Sequence, residues 1–110
     1  MASKRFTWLL TEIAEADVDD ILDYIANTLV NPDAATAFAD ELEEKLNEVC
    51  KAPKAGRLVE NEFLKMQDVR RILVKNYIVY YVIDTEPKHI VVIRVVYGRR
   101  DQDKILKDLS

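Results

Sequence analysis

At 110 residues, with 49% hydrophobic and 33% charged side chains, the chain has the size and composition of one globular domain spanning residues 1–110, too apolar for disorder and too short for two cores. A net charge of −4 excludes a surface that attracts nucleic acid everywhere. One Cys, one His and two Gly exclude an internal disulfide, a Cys/His metal set and a glycine-rich phosphate loop, so neither cofactor nor metal is expected.

Lys4–Leu10 reads as a short first strand that ends at a helix signal. Thr11 is placed to cap a helix running from Glu12 to about Leu29, with Glu12 and Glu15 favourable in its first turn. Ala14, Val18, Ile21, Tyr24, Ile25 and Leu29 fall on one stripe, while Asp17, Asp19, Asp20 and Asp23 fall largely on a solvated acidic side. Asn31-Pro32 pairs an N-cap with a proline at the first helical position. The second helix carries Ala35, Phe38, Ala39, Leu42, Leu46 and Val49 inward and ends near Lys51, with Cys50 packing at the edge of that stripe. So short a connection makes the two helices antiparallel neighbours.

Ala52–Asp68 has no sustained period and reads as a loop anchored by Leu58-Val59 and Phe63–Met66. Three strands follow, about Val69–Lys75, Tyr77–Asp84 and His89–Tyr97, joined tightly enough to form an antiparallel meander. Asp101–Leu109 is expected to be a short helical tail with Ile105, Leu106 and Leu109 on its apolar side. The order β-α-α-β-β-β predicts an α+β fold with both helices on one face of an antiparallel sheet and the other face partly open. Met1–Arg5 precedes only a short apolar stretch and no segment reaches membrane-spanning length, so a cytoplasmic, membrane-free protein is expected.

Charge is unevenly distributed. Residues 1–64 carry six Lys/Arg and fourteen Asp/Glu, giving −8, whereas residues 65–100 carry eight and three, giving +5. Such a split fits a directed binding face; it also fits helices that collect acids on their solvated sides. Strand alternation puts Arg70, Ile72 and Val74 on one side and Arg71, Leu73 and Lys75 on the other. On the last strand the apolar set Val91, Ile93 and Val95 is expected to face the helices, leaving Arg94 hydrated on the open face and Tyr97 at the strand end. Arg70 or Arg71, with Lys75 and Arg94, then forms a cationic cluster with Arg99 and Arg100 at its rim. Guanidinium forks of this kind can hold an RNA backbone, stabilise a phosphoryl transition state or grip an acidic peptide. Ordinary surface pairing with Glu60, Glu62 or the acidic helices is the competing explanation. His89 sits by a hairpin turn, away from that rim, and reads as a solvated turn residue.

The segments E-I-A-E-A-D-V-D-D-I-L-D-Y-I-A, N-P-D-A-A, P-K-A-G-R, V-R-R-I-L-V-K-N-Y-I-V-Y-Y-V-I-D and V-I-R-V-V-Y-G-R-R-D, in that order, resemble the RelE/ParE superfamily of toxins from type II toxin–antitoxin modules. The resemblance implies a growth-inhibiting toxin, neutralised by an antitoxin whose C-terminal segment covers the basic sheet face. It leaves three readings: mRNA cut in the ribosomal A site, as by RelE-like members; DNA gyrase inhibited without catalysis, as by ParE-like members; or an inactive relative that only binds its antitoxin. Under the first, Arg71, Arg94, Arg99 and Arg100 hold RNA phosphates and Tyr97 is the candidate for proton transfer; under the second, the basic rim and tail grip the enzyme. The basic strand position of RelE-like enzymes is met by Arg70 or Arg71, and the one past the last strand by Arg99 or Arg100. Tyr77 or Ile78 stands where a further arginine belongs, and Ile105 and Leu106 occupy the region of the C-terminal tyrosine. The ending V-Y-G-R-R-D lies closer to the ParE side.

Overall fold

The computed structural model describes residues 5–60, 68–99 and 102–108. Strand β1 (Thr7–Leu10) leads through Thr11 into α1 (Glu12–Asp23), whose Ala14 N–H donates to the Thr11 hydroxyl as the cap predicts. The last turn widens to a π turn over Tyr24–Thr28, and the connection closes through Val30 at φ 51°. Helix α2 (Pro32–Lys51) starts at the Asn31 cap and has the expected bounds. After a 3-10 turn at Pro53–Ala55 comes a strand that the sequence did not announce, β2 (Arg57–Leu58). Then follow β3 (Arg70–Val74), β4 (Tyr77–Thr85), β5 (Lys88–Tyr97) and α3 (Gln102–Asp108). Lys4, Phe63–Met66, Arg100 and Leu109, all named above, lie outside the described residues.

The sheet runs β1-β5-β4-β3-β2. The meander β3-β4-β5 is antiparallel as expected, but β1 pairs with β5 in parallel, so the sheet is mixed. Both long helices contribute their apolar stripes to one core with Val74, Val79, Tyr81, Ile90, Val92 and Val95. Phe38 and Leu46 are fully enclosed there, each contributing about 1.5–3 kcal/mol of burial. On the other side, Val69, Ile78, Tyr80, Ile93 and Val96 form a second core beneath Ile105 and Leu106 of α3. The face expected to stay partly open is thus covered in its middle by the C-terminal helix.

Strand β5 departs from simple alternation. Tyr80 opposes Arg94 while the next residue, Tyr81, opposes Val92, so Ile93 is an extra residue in a β-bulge. The bulge reverses the parity beyond it: Ile90 and Val92 face the helices before it, and Val95 faces them after it. Val91 and Ile93, expected on the helix side, pack instead on the second core.

Candidate functional site

The cationic cluster expected from strand parity is not assembled. Arg94, at the bulge, turns toward α1, where its Nε donates to Asp17 Oδ2 at 2.8 Å and its NH2 group to Oδ1 at 3.2 Å. The Val95 N–H donates to the same carboxylate at 3.0 Å. This corrects both the hydrated Arg94 and the solvated Asp17, since their side chains are only 18% and 16% exposed. Lys75 has a left-handed φ of 57° in the β3–β4 turn, and its ammonium meets Glu41 of α2 at 3.3 Å, away from the Arg71 face. Arg70 donates to the carbonyl oxygens of Gly56 and Lys54 and so fastens the loop before β2. Tyr97 stands at the far end of β5, its ring 5.6 Å from that of Tyr77 in an edge-on contact. Arg99 is exposed in the turn after β5, and Arg100 lies outside the described residues.

Two concave regions are built instead. A cleft of about 430 Å³ is lined by Arg57, Leu58, Val59, Glu60, Arg71, Tyr80, Gln102 and Leu106. Its floor follows sheet register: Arg57 opposes Arg71 between β2 and β3, and Arg71 opposes Tyr80 between β3 and β4. Directly opposed residues in antiparallel strands share a face, so two guanidiniums and a phenol stand in one row. The Tyr80 hydroxyl donates to Gln102 Oε1 of α3. Burial raises the Tyr80 pKa, against the opposing pull of Arg71.

Behind the cleft, the buried Tyr81 hydroxyl donates to the Pro53 carbonyl at 2.7 Å and accepts the Gly56 N–H at 2.9 Å. A Cβ on Gly56 would sit 2.9 Å from the Arg71 carbonyl oxygen, so only glycine allows β2 to lie this close to the sheet. Arg57 was not among the site residues expected from sequence, because a two-residue strand inside an aperiodic loop carries no alternation to read. The P-K-A-G-R motif was its one signal.

The second region, of about 770 Å³, opens between the helix pair and the β3–β4 turn. Ile21, Tyr24, Leu29, Phe38, Tyr77 and Tyr97 give it an aromatic and aliphatic lining. Phe38 and Tyr77 meet edge-on at 5.1 Å, continuing the row of rings from Tyr97. Tyr24 is 49% and Leu29 55% exposed, an unusual outlay of apolar surface at one end of a small chain. Burial, reinforced by Tyr24 and Tyr97, raises the Tyr77 pKa. Among the described residues, no group of three His, Cys, Asp or Glu could hold a metal ion, and no helix is long and apolar enough to cross a membrane.

The model of a family described as "ParE toxin of type II toxin-antitoxin system, parDE" matches residues 9–102. In fold the chain is similar to a solved chain of the chromosomal ParDE TA system from P. aeruginosa, with a TM-score of 0.66 and 20% identity over 86% of this chain and 98% of that one. It is also similar to a chain of the toxin–antitoxin complex RelBE2 from Mycobacterium tuberculosis, with a TM-score of 0.59 and 19% identity over 84% and 98%. No curated protein matches the sequence.

Proposed function

The chain belongs to the ParE toxin family of type II toxin–antitoxin systems, and from that premise we propose that it inhibits growth by gripping a protein target, DNA gyrase, without cutting RNA. The dispersal of the cationic residues expected at the site carries this reading: among the described sheet arginines only Arg57 and Arg71 share a cleft, and Tyr97, the expected proton-transfer group, does not line it. Phosphodiester cleavage without a metal needs positive groups converging on the developing charge and a group able to move a proton. Here Arg94 is committed to Asp17, Lys75 to Glu41 and Arg70 to two carbonyls, while Tyr97 stands apart from Arg71. A protein-binding role asks instead for exposed aromatic and aliphatic anchors, and Tyr24, Tyr97 and Leu29 at the groove supply them, with Arg99 following Tyr97 at the rim.

An antitoxin partner comes with the same proposal, since the two solved relatives belong to toxin–antitoxin systems. Its action on gyrase places the toxin in the cytoplasm. The test is inducible expression, with supercoiling by purified gyrase and mRNA integrity followed in parallel. The expected outcome is lost supercoiling with intact mRNA, abolished by Tyr97→Ala with Arg99→Ala in a chain that still folds. Cuts in ribosome-bound mRNA with normal supercoiling would overturn the proposal.

A further inference from the structure

The arginines of this sheet differ in what they meet, and Arg70 is already engaged by the Gly56 and Lys54 carbonyls. At Arg94 a planar guanidinium meets a planar carboxylate, and Asp17 takes a backbone N–H as well. In the cleft beneath α3, Arg57 and Arg71 oppose each other directly across β2 and β3, and neither forms an ion pair with any described residue. Like charges in directly opposed positions destabilise a strand pair, and an anion between them converts that repulsion into attraction. We propose that the Arg57–Arg71 cleft is a binding site for a single carboxylate, presented by a glutamate or aspartate side chain of a partner polypeptide.

Three features select this occupant. Glu60 lines the same cleft, so its charge opposes a doubly charged phosphate or a run of phosphodiesters more than it opposes one carboxylate. Leu58, Val59 and Leu106 form an apolar wall beside the guanidiniums, suited to the methylenes of an acidic side chain. Tyr80 and Gln102, bonded to each other at the floor, hold β4 against α3 and fix the back of the site. The geometry is also fixed from behind, because Tyr81 and Arg70 both hold the Gly56 segment that delivers Arg57. The site stands apart from the aromatic groove and holds whatever the target of the toxin proves to be.

The full chain, labelled with ¹⁵N, is titrated at neutral pH while the arginine Nε–H resonances are followed. Acetyl-glutamate methylamide is the probe, with its glutamine analogue and inorganic phosphate in separate arms. Saturable shifts confined to Arg57 and Arg71, absent with the glutamine analogue and weaker with phosphate, are expected. Arg57→Gln and Arg71→Gln should each weaken probe binding at least about tenfold, the equivalent of one lost charge-assisted hydrogen bond. Lys88→Gln, at the β4–β5 turn, should leave it unchanged. Arg57 is exposed and leaves the core intact on substitution, which the backbone amide spectrum verifies. Absence of saturation, or binding in both arginine variants as tight as in the unaltered chain, overturns the site. Tighter binding of phosphate than of the carboxylate overturns the assigned ligand and points to RNA.

Discussion

Replacing Asp17 by alanine tests the account of how α1 is held to the bulged strand. Three hydrogen bonds end on this carboxylate, from Arg94 Nε at 2.8 Å, Arg94 NH2 at 3.2 Å and Val95 N–H at 3.0 Å. Removing it strands a guanidinium that is only 18% exposed and orphans a backbone donor. Breaking such a pair from one side costs about 3–5 kcal/mol, and the residual solvent contact places this case near 3. Arg94→Ala should cost less, about 1.5–2 kcal/mol, because Asp17 keeps its bond from Val95. The double variant should fall short of the summed losses by roughly 1.5 kcal/mol, the coupling between the partners. Urea unfolding reads this directly: at a slope of about 1.5 kcal/mol per molar, Asp17→Ala lowers the midpoint by about 2 M. A loss below about 1 kcal/mol, or strict additivity of the two changes, would refute the reasoning.

Gly56→Ala should destabilise the fold by about 1–3 kcal/mol, since the new methyl meets the Tyr81 ring and the Arg71 carbonyl; an unchanged thermal midpoint would contradict that contact. Alkaline conditions should weaken the protein. Tyr77, Tyr80 and Tyr81 are raised by burial above the ordinary value of 10.0, so their contribution is complete below that pH and is lost as pH rises through the higher folded values. Denaturant titrations on either side of pH 10, with phenolate absorbance recorded alongside, should show falling stability as the unfolded tyrosines ionise. Burial likewise raises the Cys50 thiol above 9.0, so a thiol reagent should react several-fold more slowly with the native chain than with the chain in urea. Equal rates would show Cys50 to be open.

Which features were legible in the chain follows from the range of the forces that set them. Caps, helix bounds and turns act over three or four residues, so Thr11, Asn31-Pro32 and the Lys75-Asn76 turn announce themselves. Parity along β3 also held, because Arg71 and Arg70 do point to opposite faces. Along β5 it failed at Val91 and Ile93, because the bulge at Ile93 exists only in relation to Tyr80 and Tyr81 on another strand. Beside that bulge Arg94, an expected surface charge, is instead the partner of Asp17. Pairings such as Arg94 with Asp17, or Arg57 with Arg71, join residues 77 and 14 positions apart, and no local pattern encodes which arginine finds a carboxylate.

The sequence by itself determined an α+β fold with two amphipathic helices on a β-meander, a strongly basic last third and kinship with the RelE/ParE toxins. Hydrophobic period and capping chemistry are local, and they suffice for that much. Only the tertiary structure decided which charges are spent and which are left to act. A guanidinium's role depends on the carboxylates that folding brings within about 3 Å, and among the described residues folding gave one to Arg94 and none to Arg57 or Arg71.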